Sequence, residues 1–123
     1  MGKRGFTLLE LIIVVIIIGI LAMLGISQYG GFAEGARKAE AKSNLGTIRK
    51  AMMARRVEFN DTLTNATMTA LTGLGVCDDQ HYFSYGIVGT TGRADRCASG
   101  GKAPNATTYN ITLAENGTPG GSW

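Results

Sequence analysis

Histidine and cysteine are scarce in this chain of 123 residues: His81 stands alone, and the two cysteines, Cys77 and Cys97, form no CxxC pair. Together they fall short of the four ligands of a structural zinc site. No GxSxG turn accompanies His81, and Ser84 lies three positions on along an extended stretch, where the two side chains point to opposite faces. No DxDxDG run surrounds Asp78 and Asp79, which read as a solvated loop rather than as calcium ligands. No repeat with a period of roughly 20 to 50 residues is visible. The formal charge of +3 is small, so nucleic acid is not indicated as a partner. These absences point away from an enzyme and leave no cofactor or metal expected.

Polar residues are missing from one long stretch. Residues 6–26, FTLLELIIVVIIIGILAMLGI, carry only Thr7 and Glu10 as polar side chains. As a helix they would measure about 31 Å, the hydrocarbon thickness of a bilayer. Lys3 and Arg4 precede the run and predict a cytoplasmic N-terminus with the chain beyond Ser27 outside. Glu10 is the anomaly: a carboxylate in a spanning segment costs about 2.5 to 3.5 kcal/mol at a helix centre, and such groups usually have a purpose.

From Gln28 to Phe59 the pattern becomes amphipathic. Ala41, Leu45, Ile48, Met52 and Phe59 fall at helical spacing and predict one buried stripe on a continuous helix. Ser27, Gly31, Gly35, Ala39 and Ser43 recur every four residues, a ridge of small side chains that lets helices pack closely. Between Glu34 and Glu58 seven basic residues face three acidic ones, while from Asp61 onward three basic residues face five acidic ones. A basic stem under a slightly acidic head suits contacts between neighbouring copies, and equally a solvated helix face.

Beyond Phe59 the composition shifts to Thr, Asn, Gly and Ser. NDTLTNATMTALTGLG reads as a short helix ended by Gly73 or Gly75. HYFSYGIV, 81–88, and TTYNITLAE, 107–115, read as strands, with Phe83, Tyr85 and Ile87 on one face and Tyr109, Ile111 and Leu113 on another. The segment after the first strand reads as a glycine-rich loop, and Trp123 is expected to cover an edge of the small core. Cys77 and Cys97 enclose that strand and loop, and a disulfide between them would add roughly 3 kcal/mol by the chain-entropy argument. A disulfide requires an oxidising compartment, in agreement with the orientation set by Lys3 and Arg4. Asn60, Asn65, Asn105, Asn110 and Asn116 each open an N-x-T triplet, a glycan-acceptor pattern that chance readily supplies in an Asn- and Thr-rich chain. The fold class is α+β, a long N-terminal helix packed against a small antiparallel sheet.

The stretch KRGFTLLELIIVVIIIGILA resembles the N-terminus of bacterial type IV pilins and of the related type II secretion pseudopilins, and ARKAEAKSNLGTIRKAM is similar to the helix continuation in those pilins. The resemblance implies a leader of residues 1–5 ending at Gly5, removed by a prepilin peptidase, and a methylated N-terminus at Phe6. It implies that the Glu10 carboxylate pairs with a neighbouring subunit's terminal amine, and that the helices loosen near Gly19 in filaments. One departure is Ser27, where many members carry proline. The expected organisation is leader 1–5, helix 6–59 with residues 6–26 in the membrane or filament core, and head 60–123. The implied function is a subunit of a homo-oligomeric helical filament for adhesion, motility or DNA uptake. Such a subunit would be held in the inner membrane as a single-pass precursor, handled by the pilus assembly machinery, and then placed in an extracellular pilus. A secretion pseudopilin, disfavoured by the two cysteines, or a minor pilin at a filament tip is the alternative. A secreted domain cut from a signal peptide after Ser27 is a third reading, and Glu10 inside its apolar region argues against it.

Overall fold

The computed structural model describes residue 2 and residues 4–123; Lys3, half of the expected basic leader, lies outside the described residues. The order of elements is α1 (Leu8–Phe59), α2 (Asn65–Thr72), β1 (Phe83–Val88), β2 (Thr91–Arg96), β3 (Asn110–Ala114) and β4 (Pro119–Gly121). The chain forms two compact units, Met1–Ala36 and Arg37–Trp123, and α1 contributes residues to both.

In the first unit every described residue up to Phe32 is exposed. The most apolar window of 18 residues in α1 has a mean hydropathy of 3.0, and none of it is buried. Glycines at 19, 25, 30 and 31 leave the helix unbroken, and the Ser27 hydroxyl donates to the Leu24 carbonyl at 3.1 Å.

The second unit has a core of its own. Four antiparallel strands pair in the order β1-β2-β3-β4, and Ala41, Leu45, Ile48 and Met52 of α1 join Phe83, Tyr85, Ala94 and Ile111 of the sheet in one buried cluster. The register places Tyr85 opposite Ala94 and Ala94 opposite Ile111, with Ile87, Gly92 and Leu113 forming the next row. Helix and sheet approach closely at Gly92: a β-carbon there would lie 3.2 Å from Ile48 Cγ2 and 3.4 Å from Leu45 Cδ2. The exposed edge of β1 is covered, since the Tyr85 amide donates to the Gly75 carbonyl and the Ile87 amide to Asn65 Oδ1, both at 2.6 Å. α2 starts at the Thr64 cap, whose hydroxyl accepts the Thr67 amide, and stops at Gly73, which takes the left-handed conformation at φ +71°.

Three expectations are corrected. The stripe on α1 ends at Met52; Phe59 is 61% exposed, lies outside the buried cluster and has the Arg55 guanidinium over its ring, 4.5 Å from the centre. The glycine-rich segment after β1 is mostly strand β2, joined to β1 through Gly89 and Thr90, with Gly89 at φ +61°. Trp123 is exposed and lies beside Lys42 Nζ, 5.1 Å from the ring centre, rather than over the core.

The basic stretch of α1 within this unit is largely engaged inside the chain. Arg37, Lys38 and Lys42 sit over the rings of Tyr82, Tyr109 and Trp123, Arg56 pairs with Glu115 at 2.8 Å, and Arg49 donates to the Glu115 carbonyl at 2.8 Å. Arg96, buried, donates to the carbonyls of Tyr82 and Ala103. That is how a charge is kept in a small core, with its protons directed to backbone oxygens.

Candidate functional site

The start of α1 gathers the residues singled out for processing and assembly. Residues 4–7 precede the helix, Gly5 and Phe6 are exposed, and a side chain at position 5 would meet nothing within 4 Å. An open peptide before a helix suits entry into another protein's cleft.

Glu10 lies in the first turn and is not alone. Its Oε2 accepts the Thr7 amide at 2.9 Å and the Thr7 hydroxyl at 3.1 Å, while the Glu10 amide donates back to Thr7 Oγ1 at 3.3 Å. This is a reciprocal capping box: Thr7 takes the cap position and Glu10 the third helical position, each satisfying the other's backbone N–H. The geometry adds a reason for a carboxylate here. The first amides of a helix have no partner inside it, lipid offers none, and a negative charge at a helix start is favoured by the aligned peptide dipoles. Thr7 was missed as a partner although T-x-x-E before an apolar run is legible as TLLE. Both hydrogen bonds from Thr7 fall on Oε2; among the described residues Oε1 receives none. Phe6, Glu10, Leu11, Ile13 and Val14 line an open, apolar recess of about 510 Å³ around this end.

Residues 1–26 match the prokaryotic N-terminal methylation motif. Over 118 residues the chain is 32% identical to the type IV major fimbrial protein FimA of Dichelobacter nodosus, a match covering 96% of this chain and 71% of that protein. The chain belongs to the type IV pilin family. It is also 43% identical over 62 residues to the type IV major pilin protein PilA of Myxococcus xanthus, covering 48% of this chain and 28% of that pilin. A fimbrial protein of Pseudomonas aeruginosa is 37% identical over 66 residues, 54% of this chain and 43% of its own length. The chain therefore spans less than half the length of these two pilins. No solved structure gives a significant match.

The small-residue ridge is exposed at Ser27, Gly31, Gly35 and Ala39, and added side chains at Gly31 and Gly35 would meet nothing within 4 Å. Cys77 and Cys97 are joined, with Cα atoms 5.9 Å apart and a sequence separation of 20. The bond encloses β1 and β2, and Gly101 lies so close over it that a β-carbon there would stand 2.5 Å from Cys97 Cβ. Beside it Asp78 Oδ1 accepts His81 Nδ1 at 2.8 Å and the amides of Gln80 and His81 at 2.9 Å, and these bonds, the imidazole's foremost, hold the Asp78 carboxyl below its ordinary range. Tyr85 is pushed the other way: burial raises its hydroxyl above the usual phenol range, although Asn44 donates to it at 2.9 Å.

Proposed function

We propose that this chain is the structural subunit of a type IV pilus, carried in the inner membrane as a single-pass precursor with a cytoplasmic N-terminus and then packed into an extracellular filament. The observation that carries the reading is the first unit: a helix apolar on every side, with nothing of its own chain over it and a carboxylate fixed at its start. A bilayer covers such a surface before assembly and other copies cover it afterwards.

On this reading prepilin peptidase hydrolyses the Gly5–Phe6 peptide bond, leaving an ammonium on Phe6 that is then methylated. Thr7 holds Oε2 of Glu10, so Oε1 is available to the ammonium of a neighbouring subunit without breaking the cap. An ion pair formed as water is excluded contributes more to axial register than to net strength. The ridge Ser27, Gly31, Gly35 and Ala39 gives a second contact with neighbouring helices.

Two measurements test the proposal. Mass spectrometry of the mature chain should place its N-terminus at a methylated Phe6; a start at Gln28 would mean an ordinary secreted domain. Glu10→Gln, which keeps the shape and loses the charge, should leave cleavage and membrane insertion intact while the ratio of filament to membrane-pool subunit falls at least about tenfold, the loss of one charge-assisted contact. Normal filaments from Glu10→Gln would remove the ion pair from the assembly step.

A further inference from the structure

The five N-x-T triplets differ sharply once folded. Asn65 Oδ1 is engaged by the Ile87 amide at 2.6 Å, Asn105 Oδ1 by the Thr107 amide at 3.1 Å and Asn116 Oδ1 by the Thr118 amide at 3.0 Å. Asn110 lies inside β3, paired with Asp95 of β2. Asn60 differs from all four. It stands in the connector between α1 and α2, is exposed, and its side-chain amide makes no hydrogen bond among the described residues.

The backbone at Asn60 is also distinctive. It is the one non-glycine residue with positive φ among the described residues, at +49°, where the chain turns out of α1 after a last helical bond from its amide to the Arg56 carbonyl. Asparagine tolerates that conformation better than most residues. Asp61 and Thr62 follow, both exposed, and Glu58, two residues before, is exposed and makes no ion pair among the described residues. The stretch is therefore E-x-N-x-T on an accessible turn, with a free amide at its centre, a hydroxyl two residues after it and an unengaged carboxylate two residues before. No other triplet of the chain has an acidic residue at that earlier position.

We propose that Asn60 is an N-linked glycan acceptor, modified by an oligosaccharyltransferase that uses a polyprenyl-diphosphate-linked oligosaccharide. In the transfer, Asn60 Nδ2 forms a bond to the anomeric carbon of the first sugar. The bond from that carbon to the diphosphate oxygen breaks, its electron pair leaves on the lipid diphosphate, and the amide gives up one proton to a base of the transferase. No electron transfer is involved. Thr62 would hydrogen-bond in the transferase cleft, and Glu58 would anchor the turn on a cationic residue of that cleft. Asn65, Asn105 and Asn116 are poorer acceptors because an Asn tied to a backbone amide must release it before its side chain can enter a cleft.

The test expresses the full chain in a bacterium with and without a bacterial oligosaccharyltransferase and its lipid-linked glycan. Only protein with the Cys77–Cys97 bond formed is taken, which marks export independently of filament formation. The tryptic peptide Val57–Arg93 should carry one glycan mass when the transferase is present. Asn60→Gln and Thr62→Ala should each abolish it, Asn65→Gln should leave it unchanged, and Glu58→Gln should lower occupancy about tenfold, the loss of one charge-assisted contact. A glycan that persists in Asn60→Gln overturns the assignment. So does disulfide-bonded chain left unmodified beside a control acceptor glycosylated in the same cells. Unchanged occupancy in Glu58→Gln overturns the anchoring role of that carboxylate.

Discussion

The two units treat apolar side chains in opposite ways. Up to Ala36 the chain leaves Leu, Ile and Val exposed all round a helix; from Arg37 it gathers eleven buried apolar side chains, Phe83 among them, into one cluster. At roughly 25 cal/mol per Å² of apolar surface removed from water, the second unit gains its hydrophobic stabilisation on folding, whereas the first gains it only when lipid or another protein covers it. The head's stability therefore belongs to one chain, and that of the apolar helix belongs to its surroundings.

The largest effects separate the units. Phe83→Ala empties the centre of the buried cluster and should lower the unfolding free energy of the second unit by about 3 to 5 kcal/mol, read by denaturant titration, with membrane insertion unchanged. Ile16→Lys, mid-way along residues 6–26, should do the reverse: insertion becomes less favourable by about 3 to 4 kcal/mol in a translocation assay, while the head's unfolding midpoint stays put. If Ile16→Lys also unfolds the head, the units are not independent.

Replacing Cys77 and Cys97 by Ser should cost the second unit roughly 2 to 5 kcal/mol, since a 20-residue segment is released in the unfolded chain. Gly92→Ala should cost about 1 to 3 kcal/mol because its methyl meets Ile48 and Leu45. A neutral outcome would mean that α1 can move away from the sheet.

The smallest effect is that of pH. The Asp78 carboxyl is lowered in the folded chain, so its contribution is present above the unfolded value of about 3.9 and is lost as pH falls through the folded value. Tyr85 is raised, so its contribution is present below the unfolded value of about 10 and declines as pH climbs past it. Melting temperatures across pH should show both limbs. Asp78→Asn should flatten the acid one and Tyr85→Phe the alkaline one.

Much of this was legible beforehand, for reasons particular residues make plain. The apolar run, the stripe Ala41-Leu45-Ile48-Met52, the stop at Gly73 and the alternation Phe83-Tyr85-Ile87 are local patterns, set by the periods of helix and strand and by glycine's freedom at positive φ. The partnership of Thr7 with Glu10 was local too, and was there to be read in TLLE. Strand β2 was not. TGRADR presents Gly92 and Ala94 to the core and carries almost nothing that favours a strand by itself. Position 92 is small because Leu45 and Ile48, more than forty residues earlier, lie on top of it. The sequence by itself determined which stretch is apolar on every side and which helix face turns inward, since both depend on neighbours a few residues apart. Only the tertiary structure decided that β2 is a strand, that Phe59 stays outside and that Asn60, of the five triplets, combines an exposed turn with a side-chain amide free of hydrogen bonds among the described residues, because each of these depends on what the folded chain brings alongside.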